Sequence, residues 1–179
     1  MPAYTLDPSD TVIAPDDTIL YRIQYADGTR GGYLQSTANL DPTGDARVSD
    51  NARVLGDAWV YGDAQVSGDA WVSGGAQVSG DARVSGGAQV YGNAWVSGNA
   101  RVSEPQHCLT IGPLGSRAAI LTVCRDSTLG ISYATGCFFG SRDAFLAAVE
   151  ATHGNSSFGN AYAAAVMLAD HIVPPYMPE

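Results

Sequence analysis

The sequence predicts a mainly β protein built around a short parallel β-helix, and three observations predict it. Valine recurs at every sixth position from Val48 to Val102, and alanine stands two residues before each valine, from Ala46 to Ala100. The residue between them changes from unit to unit, as in "GDAWVSGGAQVSGDARVSGGAQVYGNAWV" over 68–96. The triplet that completes each unit, such as Ser-Gly-Asp or Tyr-Gly-Asn, is rich in turn formers. A period of six is neither the two of a strand nor the 3.6 of a helix. Ala-x-Val alternates in, out, in as a short strand does, and Gly, Asn and Asp accept the positive φ of tight turns. Three such units make a triangular coil. Stacked coils bury the Val and Ala columns, and repeats of this length mark solenoids.

The elements follow in chain order. Residues 1–43 hold turn-rich pieces and one hairpin, "TILYRIQY" and "TRGGYLQS" joined at Ala26-Asp27-Gly28. Residues 44–103 hold ten hexapeptides, and Glu104-Pro105 ends them because proline withdraws a ladder donor. Residues 104–179 read as a small α+β domain with strands at "HCLTI", "AAILTVCR" and "GISYATGCFF". One helix starts at an N-cap Ser141, runs through "RDAFLAAVEATH" and stops at Gly154. A second covers 157–172, and the Pro174-Pro175 tail reads as loose. Phe145, Ala148, Val149 and Thr152 share one helical face, as do Tyr162, Ala165, Val166, Ala169 and Ile172. About 70 residues make a marginal core, so this domain is expected to dock on the solenoid or on another subunit.

Composition narrows the functions. The chain has 179 residues, 9 basic against 18 acidic, and a net charge of −9; every basic residue is arginine. Such a surface disfavours non-specific nucleic-acid binding, which depends on phosphate neutralisation. Acidic mimicry of a nucleic acid is weakened by the interleaved arginines. No apolar run reaches the length of a membrane span, and "MPAYTLDPSD" lacks the charged and apolar regions of a leader, so a cytoplasmic setting is expected. Cys108, Cys124 and Cys137 have no CxxC spacing and read as buried, reduced thiols.

The repeat resembles the left-handed parallel β-helix of hexapeptide-repeat proteins, and that resemblance alone implies the handedness. "GTRGGYLQSTANL" followed by "GDARV" is similar to the lead-in of hexapeptide-repeat proteins seen in phages and prophages. "LTIGPLGSR", "TGCFFGSRDAFLAAVEATHG" and "GNAYAAAV" look like the small C-terminal domain that accompanies such repeats. The resemblance implies a phage or prophage origin and carries no catalytic residue across.

Residues three repeats apart stack on one face, so the variable positions form three ladders. These are Arg47, Gln65, Arg83 and Arg101; then Arg53, Trp71 and Gln89; then Trp59, Gln77 and Trp95. Outward tryptophans mark interfaces. Trp59, Trp71 and Trp95 are therefore the expected contacts of a homo-oligomer, and the flat faces of the resembling families imply a trimer. The alternative is that they cover a corner or the terminal domain. Asp45, Asp63 and Asp81 precede the arginine ladder by two residues, which gives either a solvated acid–base ladder or an anion-binding groove. The nine-residue pattern of calcium ladders is absent.

Hexapeptide β-helices are best known as acyltransferases, where a histidine between coils serves as general base. No histidine occurs in 44–103, no long loop interrupts the coils, and the chain has no lysine for a cofactor's phosphates. His107, His153 and His171 lie outside the repeat and read as structural. No catalytic residue, cofactor or metal ligand is assigned. The binding candidate is "IGPLGSR" at 111–117: Gly112, Gly115 and Ser116 can offer backbone amides as an anion nest beside Arg117. The helix start at Ser141 and Arg142 can add donors. A plain hairpin loop with a surface arginine is the simpler reading, and the glycine spacing is not a P-loop. Cys137 is expected to fill a core. The expected function is a non-enzymatic, oligomeric binding protein of phage type with an anti-defence role. It would bind a host protein or sequester a small anionic, nucleotide-like signal. The alternatives are a hexapeptide-type acyltransferase and a virion- or tail-associated rod.

Overall fold

The computed structural model describes residues 4–178. Three strands precede the repeat: β1 (Tyr4–Ile13), β2 (Ile19–Tyr25) and β3 (Arg30–Leu34). The ten hexapeptides become ten two-residue strands. They are β4 (Arg47–Val48), β5 (Arg53–Val54), β6 (Trp59–Val60), β7 (Gln65–Val66), β8 (Trp71–Val72), β9 (Gln77–Val78), β10 (Arg83–Val84), β11 (Gln89–Val90), β12 (Trp95–Val96) and β13 (Arg101–Val102). They stack in three parallel sheets ordered β4-β7-β10-β13, β5-β8-β11 and β6-β9-β12. The register pairs Arg47 with Gln65, Arg53 with Trp71 and Trp59 with Gln77, so the three ladders are the three faces. Every alanine and valine of the repeat columns is at most 4 % exposed. The turns stack as tightly. Gly68 has φ +66, and a Cβ there would lie 2.9 Å from the amide nitrogen of Gly86, so only glycine fits.

The N-terminal hairpin extends the second face. β3 pairs parallel with β5, Tyr33 opposite Arg53 and Leu34 opposite Val54. β1 falls in a stretch read only as turn-rich, and it contains Asp-Pro-Ser-Asp at 7–10. The chain absorbs it as a register shift between Asp7 and Thr11, and Asp7 Oδ1 accepts the Ser9 amide at 2.9 Å. Tyr4 and Tyr25 plug the open end of the coil: Tyr4 Oη donates to the Leu40 carbonyl at 2.8 Å, and Tyr25 Oη accepts the Val48 amide at 2.8 Å. Asn39, buried in a 3₁₀ turn, donates to the carbonyls of Gly56 (2.9 Å) and Ala58 (2.8 Å) and so satisfies the first coil. That role accounts for Asn39 in the lead-in, and the next residue, Leu40, is buried in the valine core.

After a 3₁₀ turn at Pro105–His107 comes an antiparallel sheet: β14 (Cys108–Leu114), β15 (Ala119–Asp126), β16 (Gly130–Thr135) and β17 (Phe138–Ser141). The expected single strand at "GISYATGCFF" is two, because Gly136 takes φ +55 and turns the chain. Helix α1 (Arg142–His153) starts at Ser141, whose hydroxyl accepts the Ala144 amide at 3.4 Å. Helix α2 (Ser157–Ile172) is capped by Ser156. One side of the sheet packs Leu121, Val123 and Tyr133 against Phe145, Val149, Tyr162 and Val166 of the helices. The same unit closes the solenoid. Cys124 joins the valine core, the Trp95 amide donates to Thr122 Oγ1 at 3.0 Å, and the Ser127 amide donates to the Asn99 carbonyl at 3.1 Å.

Three expectations are corrected. Cys108 and Cys124 are direct partners across β14 and β15 and form a disulfide, a pairing that antiparallel register creates and sequence spacing hides. Cys137 is free and exposed at the β16–β17 turn instead of filling a core. The tail is not loose: Val173 is buried, and the Tyr176 amide donates to the Gly130 carbonyl at 3.0 Å. Among the described residues, no helix is long and apolar enough to cross a membrane.

Candidate functional site

The loop predicted as an anion nest is the β14–β15 turn. Gly115 takes φ +69 and the Ala118 amide donates back to its carbonyl at 3.3 Å, which makes a tight hairpin. A side chain at Gly115 would collide with Tyr162, so the turn is seated on α2. Beside it lies a pocket of about 310 Å³, bounded by this loop, the β16–β17 turn and the second half of α1. Its apolar wall is an aromatic cluster. Phe145 meets Phe138 edge-on at 5.3 Å and Tyr162 at 5.6 Å, and His153 stacks on Tyr162 at 5.6 Å. Ser116, Arg117, Thr135 and Cys137 stand on the polar side. Arg117 is exposed and makes no ion pair with any described residue.

The other proposed donors are elsewhere. Gly112 sits within β14, packed on Ile120, and does not line the pocket. Arg142 begins α1, whereas the pocket lies along the second half of that helix. Its guanidinium is held by Asp170 of α2, Nε at 3.0 Å from both carboxylate oxygens and Nη2 at 2.7 Å from one. Those hydrogen bonds hold the Asp170 carboxyl below the usual carboxylate range. The structure therefore brings Ser116 and Arg117 together, uses Gly115 to shape their turn, and separates Gly112 and Arg142 from them. His153, Tyr162 and Cys137 were missed as pocket residues. Helical periodicity put Tyr162 on an inner face, but nothing local says that an inner face borders a cavity.

The tryptophans also divide. Trp95 lies under the terminal sheet, bonded through its amide to Thr122, so the third face is not one exposed aromatic strip. Trp71 packs against the cluster of Leu20, Tyr33 and Leu55, with the Arg53 guanidinium 5.4 Å from its ring. Trp59 alone is strongly exposed, at 42 %, and stacks on Tyr61 at 4.1 Å.

The histidines tie elements together. His171 Nδ1 is 2.7 Å from the Met167 carbonyl within α2. His107 is buried against the last coil, with Nδ1 3.1 Å from Ser103 Oγ and Nε2 3.0 Å from Arg125 Nη1. Burial first, then the Arg125 charge, pushes its pKa below the usual imidazole value.

Four stretches of the repeat, 46–62, 64–78, 76–92 and 88–104, match the YdcK β-solenoid repeat. A comparison with curated proteins finds no match. The chain is a β-helix protein whose coils are similar to the YdcK solenoid repeat, capped by a hairpin sheet at one end and a sheet with two helices at the other.

Proposed function

We propose that the protein is a non-enzymatic binding protein of phage type, which takes a small anionic, nucleotide-like ligand in the host cytoplasm and thereby blunts a defence signal. One observation carries this reading: the guanidinium of Arg117, which forms no ion pair with a described residue, beside a pocket walled by stacked aromatic side chains. A planar ring gains contact area and stacking from such a wall, and an arginine fork suits phosphate or carboxylate oxygens. The phage lead-in and terminal-domain motifs support the setting.

The test is a titration of wild type and Arg117→Ala with cyclic and linear nucleotides, and separately with acetyl-CoA plus simple amines. Wild type is expected to bind a nucleotide, and the variant to bind it about tenfold or more weakly, the scale of one lost charge-assisted hydrogen bond. Acetyl transfer with turnover would replace this reading with the acyltransferase. Silence in both assays would point to a protein partner or a virion rod.

Self-association belongs to the same proposal, and the exposed Trp59–Tyr61 stack favours it. A solenoid this short gains stability by burying a face between subunits. Light scattering at micromolar concentration is expected to show a homo-oligomer, a trimer first, which Trp59→Ala shifts toward monomer. A stable wild-type monomer would remove the idea.

A further inference from the structure

The chain carries 18 acidic residues for nine arginines, so a carboxylate is easily found for each guanidinium. Four arginines take one: Arg22 and Arg30 with Asp10, Arg47 with Asp27, and Arg142 with Asp170. Arg83, Arg101 and Arg125 form no ion pair with any described residue, yet all three line one cleft of about 450 Å³ where the first face meets the terminal sheet. Ser85, Ser103 and Tyr176 line it too, and no described carboxylate does.

This convergence has an energetic cost in the free chain. Arg83 and Arg101 are direct cross-strand partners on β10 and β13, about one strand spacing apart, and like charges placed opposite each other repel. The acid–base ladder that would relieve them does not form. Arg101 Nη1 donates to the backbone carbonyls of Asp81 (2.8 Å) and Ala100 (2.9 Å), not to the Asp81 carboxylate. Arg125 is fixed from two sides, by His107 Nε2 at 3.0 Å and by the Tyr176 ring 5.1 Å away, and its buried Nε has no hydrogen-bond partner among the described residues. An unsatisfied buried donor on a cation is costly unless something accepts from it. The pinned tail puts Tyr176 at the mouth, so the cleft is organised before any ligand arrives.

We propose that this cleft is a binding site for a compact oxyanion with at least two negative charges, a pyrophosphate or phosphate-ester group, held by Arg83, Arg101 and Arg125 with the hydroxyls of Ser85 and Ser103. Three guanidiniums in one small space match a multiply charged tetrahedral group better than a single carboxylate. A long polyanion is disfavoured, because the rest of the chain is acidic and would repel it. The cleft shares no lining residue with the Arg117 pocket, so the two sites stand or fall separately.

The experiment is calorimetric titration of the full chain with inorganic pyrophosphate at physiological salt, with succinate as the dicarboxylate comparison. Wild type is expected to bind pyrophosphate at one site per chain and succinate much more weakly. Arg83→Gln should weaken pyrophosphate about tenfold or more, Arg83→Lys should recover part of the loss, and Arg117→Ala should leave it unchanged. The Arg83 side chain makes no hydrogen bond or ion pair with a described residue, and its backbone bond to Ala100 does not depend on the side chain, so the variants keep the fold. Without pyrophosphate, Arg83→Gln should melt no lower than wild type, because it removes a repulsion. Pyrophosphate should raise the Tm of wild type more than that of the variant. The proposal is overturned by absent wild-type binding at millimolar pyrophosphate, by an Arg83→Gln variant that binds like wild type, or by succinate binding as tightly as pyrophosphate.

Discussion

Val72→Asp is expected to unfold the solenoid. Val72 is fully buried and lies between Val54 and Val90 in neighbouring coils of one column. The column has no polar partner for a carboxylate, and burying an unpaired charge costs several kcal/mol even after relaxation. A domain of this size is held by about 5–15 kcal/mol in all, and the coils support one another in series, so the loss at one rung spreads to its neighbours. Thermal melting followed by circular dichroism should show a Tm far below wild type or no cooperative transition. Gln65→Asp is the matched control. Gln65 faces outward between Arg47 and Arg83 on the first ladder, where a carboxylate meets opposite charge and should leave the Tm within a few degrees. Equal melting of Val72→Asp and wild type would mean that the inward assignment is wrong.

The contrast between these two substitutions shows why the solenoid was legible and much else was not. The repeat writes inside and outside at fixed spacing, so the valine columns and the three outward ladders can be read from the period alone. The two helices were legible for a similar reason: apolar residues recur at helical spacing in both, and Ser141 and Gly154 are the local start and stop signals of α1. The terminal sheet needed longer-range information. Cys108 and Cys124 face each other only because the β14–β15 register makes them partners. Gly136 splits a strand through one φ value that composition does not reveal. The candidate site suffers most, since its parts come from separate elements. Arg117 and Ser116 were visible as a glycine-flanked loop, but Arg142 looked equally free until α2 brought Asp170 to it. Arg125 had no signal at all, because nothing in "LTVCRDS" says that its side chain meets the last coil and the tail.

The lead-in motif yields the second large effect, at Gly32. A methyl group there would stand 2.5 Å from the Ala52 carbonyl oxygen and 2.9 Å from Val48 Cγ1, inside any real contact distance. Neither neighbour can step aside. The Ala52 carbonyl accepts the Tyr33 amide at 2.8 Å, the bond that seats the hairpin on the first coil, and Val48 is fixed in the buried column. Gly32→Ala must therefore push β3 away from β5, loosening the pairs of Tyr33 with Arg53 and Leu34 with Val54. It also draws the Tyr25 plug off the open end of the coil, where its hydroxyl holds the Val48 backbone. Overpacking of this kind costs about 3 kcal/mol when the neighbours are backbone, or a fall in Tm of roughly 6–12 °C for a chain of this length. Gly87→Ala is the comparison, since no atom lies within 4 Å of the added carbon and its backbone is not left-handed. It should leave the Tm unchanged or raise it slightly by restricting the unfolded chain. Equal melting of the two variants would mean that Gly32 does not seat the cap, and that the hairpin is a passive extension of the second face.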